Sequence, residues 1–262
     1  MPHGLFVGLI TLDVIYQVDQ VPQPNQKLVA LQQLCAAGGP ATNAAVTYAA
    51  LGGEATLLGS LGQHPLQHLV RSDLAPWGIQ LRDLQPDQLE PPPLSSILVT
   101  RSTGDRAVVS RNAVQRQVDV ASLAQSGLEE QLDGIDVVLI DGHQMAVGAA
   151  IAQLARSRQI PVVVDAGSWK PGFATVLAQA DYVIASANFH PPGHDTIAAV
   201  VDFCQQLAVP QLAITQGAAP ILAWNLAAGG DRQTCPVPTV PTVDTLGAGD
   251  IFHGAFCAAL TQ

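Results

Sequence analysis

Charge is scarce in this chain, and lysine most of all. Charged residues make up 12% of the 262, with 11 Lys and Arg against 21 Asp and Glu, for a formal net charge of −10. A phosphate backbone would be repelled by that balance, which argues against a nucleic-acid binder. Hydrophobic residues reach 48%, so intrinsic disorder is excluded as well. Long apolar runs are missing: Leu5–Ile10 is far short of the ~20 residues of a membrane span, and no basic segment precedes it. No membrane association is expected, and the chain reads as cytoplasmic. The four cysteines (Cys35, Cys204, Cys235, Cys257) form no C-x-x-C pair. They read as structural thiols of a reducing compartment rather than metal ligands.

Familiar motifs are absent too. The two lysines, Lys27 and Lys170, follow Gln26 and Trp169, so there is no Gly-Lys-Ser/Thr phosphate loop. No G-x-G-x-x-G follows the first apolar run, and neither H-E-x-x-H nor G-x-S-x-G occurs.

What is present is a set of short, continuous apolar runs, the pattern of buried parallel strands: Leu5–Ile10, Ala55–Leu58, Val137–Ile140, Pro161–Val164, Tyr182–Ala185 and Leu212–Thr215. Helical stretches alternate with them at Ala41–Leu51, Pro65–Ala75, Ala146–Ser157, Gly172–Gln179 and Asp195–Leu207. This predicts an α/β fold of three layers around a mainly parallel sheet, in one domain spanning 1–262. Residues 14–35 and 94–112 break the alternation and read as strands of a small β-sheet lid. Within it, Ser102–Asp105 forms a hairpin loop, and Pro86–Pro93 leads into the lid.

Three places carry candidate chemistry. Asp244-Thr245-Leu246-Gly247-Ala248-Gly249-Asp250 precedes an apolar, helix-like run. A helix start offers unpaired N–H groups and partial positive charge, small residues let an anion approach, and Asp250 could take a proton from a hydroxyl attacking a phosphoryl group. A Gly-rich turn with an ordinary N-terminal carboxylate reads equally well from the residues alone. Gly38-Gly39-Pro40-Ala41-Thr42-Asn43 opens a helix, with Asn43 placed as a two-way hydrogen-bonding group or as a plain cap. Asp13 follows the first strand, where ligands of open α/β sheets bind, or is a turn residue.

Together, DTLGAGD and GGPATN resemble the C-terminal and N-terminal signatures of the pfkB-type, ribokinase-like carbohydrate kinases, in the right order and over nearly the whole chain. The resemblance implies an ATP-dependent kinase acting on a small sugar or sugar derivative, with Mg2+ and, in some members, a monovalent cation. Asp250 matches the catalytic base, and Gly247, Ala248 and Gly249 match the anion hole. Asp13, Gly38, Gly39 and Asn43 fall at sugar-binding positions. Thr215, Gln216 and Gly217 match a nucleotide-contacting turn, and Asn188 matches the first residue of an Asn-x-x-Glu motif. That motif's acid is absent, because Phe189, His190 and Pro191 follow Asn188. Asp244 and Thr245 fall where some members hold the monovalent cation. A homodimer formed through the lid is implied as well. Many members continue through further helices that close the adenine pocket, whereas this sequence stops twelve residues after Asp250.

Four of the nine arginines, at 101, 106, 111 and 116, fall in the lid and its exit. They read either as a solvated lid edge or, for Arg106 or Arg111, as a reader of an anionic group on the sugar. Lys170, in a loop after a strand, is a further candidate for nucleotide phosphate or anionic substrate. The alternatives to a sugar kinase are a nucleoside kinase of the same family and a catalytically weak sugar- or nucleotide-binding protein.

Overall fold

The computed structural model describes residues 1–111, 116–123, 127–241 and 244–262. The first apolar run becomes β1 (His3–Val7), shorter than its apolar stretch because the chain leaves the sheet at Gly8 for the lid strand β2 (Thr11–Val18). Then come β3 (Gln32–Gly38), α1 (Pro40–Ala50), β4 (Glu54–Gly59), α2 (Gln67–Leu74), β5 (Gln80–Asp83), and the lid hairpin β6 (Leu94–Thr100) and β7 (Arg106–Ser110). The short α3 (Val120–Leu123) leads to β8 (Val137–Ile140), α4 (Met145–Ser157), β9 (Val162–Ala166), α5 (Phe173–Leu177), β10 (Tyr182–Ser186), α6 (Ile197–Gln206) and β11 (Gln211–Gln216). The chain closes with β12 (Ala219–Asn225), β13 (Gln233–Cys235) and α7 (Ala248–Leu260).

The main sheet runs β13-β12-β11-β10-β9-β8-β1-β4-β5. Every pairing from β11 to β5 is parallel, and β12 and β13 add antiparallel at one edge. Alternate residues of a strand face opposite layers, and the core divides accordingly. Val138, Ile140, Val162 and Val164 pack with Val147, Ile151, Phe173, Val176 and Val200 of α4, α5 and α6. Val137, Leu139 and Val163 pack with Ala41, Tyr48, Val70 and Cys257 of α1, α2 and α7. The expected three layers are present. The strands β5, β12 and β13 were not read from the sequence; β5 and β13 are short and lack a continuous apolar run, whereas β12 carries Ile221–Trp224 and was passed over.

The lid is a second sheet in the order β3-β2-β6-β7. Its strands lie at the ends of the expected segment 14–35 rather than throughout it. Residues 19–31, with Pro22, Pro24 and a turn at Pro24-Asn25, carry no strand, since proline lacks the N–H a ladder needs. Position 112, the expected end of the lid, lies outside the described residues. Asp13 sits within β2 itself and not in a turn after β1, paired in register with Ala36 and Ser95. Cys204 and Cys257 are buried, and burial pushes their thiols up to about 12, while Cys35 and Cys235 are exposed. Among the described residues, no helix is long and apolar enough to cross a membrane.

Candidate active site

The sheet changes direction of growth between β1 and β8, since β4 follows on one side of β1 and β8 lies on the other. Crevices at the carboxyl ends of strands at such a point are where α/β folds bind ligands. A cavity of about 410 Å3 opens there. Its walls include Asp13 and Ser95 from the lid, Gly39 and Asn43 from α1, and Gly247 and Asp250 from α7.

Two helix starts converge on it. Gly39 caps α1 at φ 107°, a left-handed conformation that side-chain-bearing residues avoid, and Pro40 takes the first turn as expected. Gly247 caps α7, also at positive φ. The helices approach closely because Gly254 lets α7 ride on the backbone of α1; a Cβ there would meet the Ala44 carbonyl oxygen at 2.4 Å. That packing carries Asn43 to Asp250, and Asn43 Nδ2 donates to Asp250 Oδ2 at 2.7 Å. Asn43 therefore orients the acid instead of capping its own helix.

The Ala248 amide donates to the Thr245 carbonyl at 3.2 Å, while the Ile251 amide turns back to the Gly247 carbonyl at 2.8 Å. Between them, the Gly249 and Asp250 amides lie in the first turn, where a helix supplies no internal acceptor. The amides left without an acceptor inside the helix are therefore those of Gly249 and Asp250. Burial pushes the Asp250 carboxyl above its ordinary range, against the opposing pull of the Asn43 hydrogen bond and the positive charge of Arg106.

Asp13 faces the same cavity. Its Oδ1 is buried and has no hydrogen-bond partner among the described residues, and burial raises its carboxyl as well. Gly38 makes room for it, since a Cβ there would fall 2.1 Å from Asp13 Oδ2. A buried carboxylate oxygen with nothing to accept from is costly unless a ligand hydroxyl completes it.

Three groups important to the site were missed from the sequence. Asp141, just past β8, is fully buried. Its Oδ2 accepts from the Leu9 and Ala41 amides at 2.9 and 3.0 Å, and its Oδ1 accepts from the His143 amide and Nδ1 at 2.8 and 3.1 Å. Burial alone would raise its carboxyl, but His143 and these hydrogen bonds hold it below the usual range. Asp141 ties the ends of β1 and β8 to the start of α1. Asp165, in β9, lies 3.6 Å from His253 Nδ1, one turn beyond Asp250. His253 Nδ1 is also 2.6 Å from the Gly249 carbonyl oxygen. Burial pushes Asp165 up to about 6, with the nearby Asp250 adding to the rise and His253 opposing it. The available signal was that each acid closes an apolar strand run. Most of their partners, Leu9 and Ala41 for Asp141 and His253 for Asp165, are far away in sequence.

The remaining candidates divide. Thr215 and Gln216 are the last residues of β11, Gly217 turns the chain into β12 at φ 63°, and Gln216 Nε2 donates to the Pro220 carbonyl. Asn188 follows β10, its amide donating to Ser186 Oγ at 3.1 Å. These positions share one end of the sheet, beyond the 410 Å3 cavity. Arg106 Nη1 reaches the Thr245 carbonyl at 3.5 Å, bridging lid and motif loop. Arg111 turns to Glu90 at 4.0 Å and does not line the cavity. Arg101 pairs with Asp19 and Arg116 with Glu90, so most of the cluster is lid-edge pairing. Lys170 lines a different cavity, with its Nζ 3.4 Å from the Ser168 carbonyl. Asp244 Oδ1 accepts the Leu246 amide, and the Thr245 carbonyl is already used by Ala248 and Arg106. No group of three or more His, Cys, Asp or Glu that could hold a metal gathers among the described residues.

The family model for pfkB family carbohydrate kinases matches residues 1–262. The chain belongs to the pfkB family. It is a carbohydrate kinase, a phosphotransferase acting on an alcohol group of a sugar or nucleoside, and kinases of this family use ATP. Among curated relatives, a ribokinase of Bacillus subtilis is 23% identical over 98% of this chain and 85% of its own length. An ATP-dependent ribose-1-phosphate kinase of Halopiger xanaduensis is 26% identical over 98% of this chain and 84% of its own. An Arabidopsis thaliana ribokinase, solved with ribose and ATP, superposes with a TM-score of 0.76 at 19% identity, covering 99% of this chain and 86% of that one. That last likeness concerns the fold.

Proposed function

We propose that this pfkB-family kinase phosphorylates a small sugar held in the cavity between lid and helix starts, with Asp250 as general base. The observation that carries the reading is the placement of Asp250 at the start of α7, facing a cavity into which Asp13 presents an unpaired carboxylate oxygen. In the proposed step Asp13, Gly38, Gly39 and Asn43 hold the sugar. Asp250 takes the proton of the acceptor hydroxyl, whose oxygen attacks the γ-phosphorus of ATP. The bond from that phosphorus to the β,γ-bridging oxygen breaks, ADP leaves, and the transferring charge lies against the backbone of 247–250. Asn188, Thr215, Gln216 and Gly217 are the proposed nucleotide contacts. Mg2+ would be carried mainly by phosphate oxygens and water, in keeping with its modest demand for protein ligands.

ADP release with ATP, Mg2+ and a panel of ketoses, aldoses, nucleosides and sugar phosphates tests the reading. Stimulation by a sugar supports it. Stimulation by nucleosides alone favours the nucleoside-kinase alternative, and no stimulation at all favours a binding protein. An acceptor already bearing a phosphate would meet Arg106 at the lid. A homodimer through the lid is part of the proposal, supported by the exposed Leu34 and Val108 at the two ends of the row Leu34-Ile15-Ile97-Val108. Sedimentation should then give a dimer that Val108→Asp dissociates.

A further inference from the structure

On the opposite side of the Asp141 carboxylate lies a second cavity of about 470 Å3, between the start of α4 and the β9–α5 loop. Its wall is apolar at Met145, Ala149 and Pro171, and two side chains of opposite hydrogen-bonding character reach it, His143 and Lys170. Cavities of this size, mostly apolar with a few convergent polar groups, are the usual form of small-molecule sites.

His143 gives the cavity its chemistry. The residue is 8% exposed, and its Nδ1 lies 3.1 Å from Asp141 Oδ1. The carboxylate can only accept, so Nδ1 carries the hydrogen, and in the neutral ring Nε2 is left as an acceptor. Nε2 has no partner among the described residues, yet it is not sealed from the cavity. Lys170 supplies the complementary donor. Its ammonium lies 5.7 Å above the Phe173 ring and makes contacts of 3.4 Å to Ser168, and burial lowers its proton affinity. Both groups would gain from a ligand. The site is distinct from the sugar cavity because Asp141 divides them, its Oδ2 holding Leu9 and Ala41 of the sugar side and its Oδ1 holding His143.

We propose that this cavity binds a small hydroxy acid with an apolar body, its hydroxyl donating to His143 Nε2 and its acid group accepting from Lys170. The protein carries its own reporter, because its two methionines are Met1 at the terminus and Met145 in the cavity wall. Full-length protein labelled with 13C at the methionine methyls would be titrated with 3- and 4-hydroxybenzoate, and with benzoate and phenol as the probes lacking one group. The expected result is a saturable shift of Met145, with Met1 unmoved, by at least one hydroxybenzoate. That probe should bind about 10-fold more tightly than benzoate, the weight of one hydrogen bond. His143→Phe should erase the difference between hydroxybenzoate and benzoate, and Ala149→Trp should abolish binding by filling the cavity, each with the Met145 resonance of a folded protein. A Met145 methyl that neither hydroxybenzoate moves, a hydroxyl preference that survives in His143→Phe, or binding that survives in Ala149→Trp would overturn the proposal.

Discussion

Two carboxylates near the 410 Å3 cavity, the buried Asp141 and the part-buried Asp250, are treated oppositely by their surroundings. Asp141 accepts four hydrogen bonds and is held ionised below its ordinary range. Asp250 accepts one side-chain hydrogen bond, from Asn43, and burial pushes it upward. The first is saturated and so has nothing to offer a substrate. The second keeps lone pairs free beside a helix start, which is what a proton acceptor needs. Satisfaction by the protein's own donors, more than burial or residue type, separates an acid that frames a site from one that works in it.

Removing each acid should sharpen that contrast. Asp141→Asn presents an amide N–H2 to donors that need acceptors, and each buried donor left unpaired costs roughly 1–3 kcal/mol. Thermal and denaturant unfolding should show a loss of about 3 kcal/mol or more, with catalysis falling only as the fold loosens. Asp250→Asn should do the reverse, costing at least ~100-fold in turnover while sugar binding and melting temperature hold. Unchanged turnover would remove Asp250 from the mechanism.

Asp13→Asn tests the orphaned oxygen. It should raise the KM for sugar about tenfold, the weight of a hydrogen bond to a charged group, with a smaller effect on kcat. Because Asp13 Oδ1 has no hydrogen-bond partner among the described residues, the variant should also be no less stable than the parent. A drop in stability would mean the oxygen has a partner within the protein.

The smallest effect concerns Asp165. Its folded value of about 6 lies above the ordinary 3.8, so the folded state binds its proton more tightly than the unfolded chain. Its contribution therefore favours folding below 3.8 and is lost as pH rises from there to about 6. Asp165→Asn should flatten the fall in melting temperature across that window. An unaltered slope would assign the pH dependence to Asp13 and Asp250, which are shifted in the same direction.

Much of this arrangement was legible in the residues, and the reasons are particular. Val137–Ile140 and Tyr182–Ala185 are continuous apolar runs because both faces of a parallel strand are covered, and they became β8 and β10 with little change. Pro40 and the flanking glycines mark a helix start without any tertiary information. By contrast, β13 sits at the sheet edge, where no such run is required. The arginines at 101–116 read from the sequence either as a lid edge or, at Arg106 or Arg111, as a substrate reader; Arg101 pairs with Asp19, and Arg111 and Arg116 turn to Glu90.

By itself the sequence determined the layers, the lid, the two helix starts and the acid at position 250, since each rests on local pattern: apolar periodicity, proline and glycine placement, and a short motif. Only the tertiary structure decided what those pieces do to one another. The pairing of Asn43 with Asp250 spans 207 positions, and the Asp141 hub joins positions up to 132 apart. Such contacts follow from which strands become neighbours and how closely α1 and α7 pack. The scarcity of lysine acquires its explanation here as well. Under the proposed function, helix-start amides would meet phosphate with few cations, and one of the two lysines borders a separate cavity.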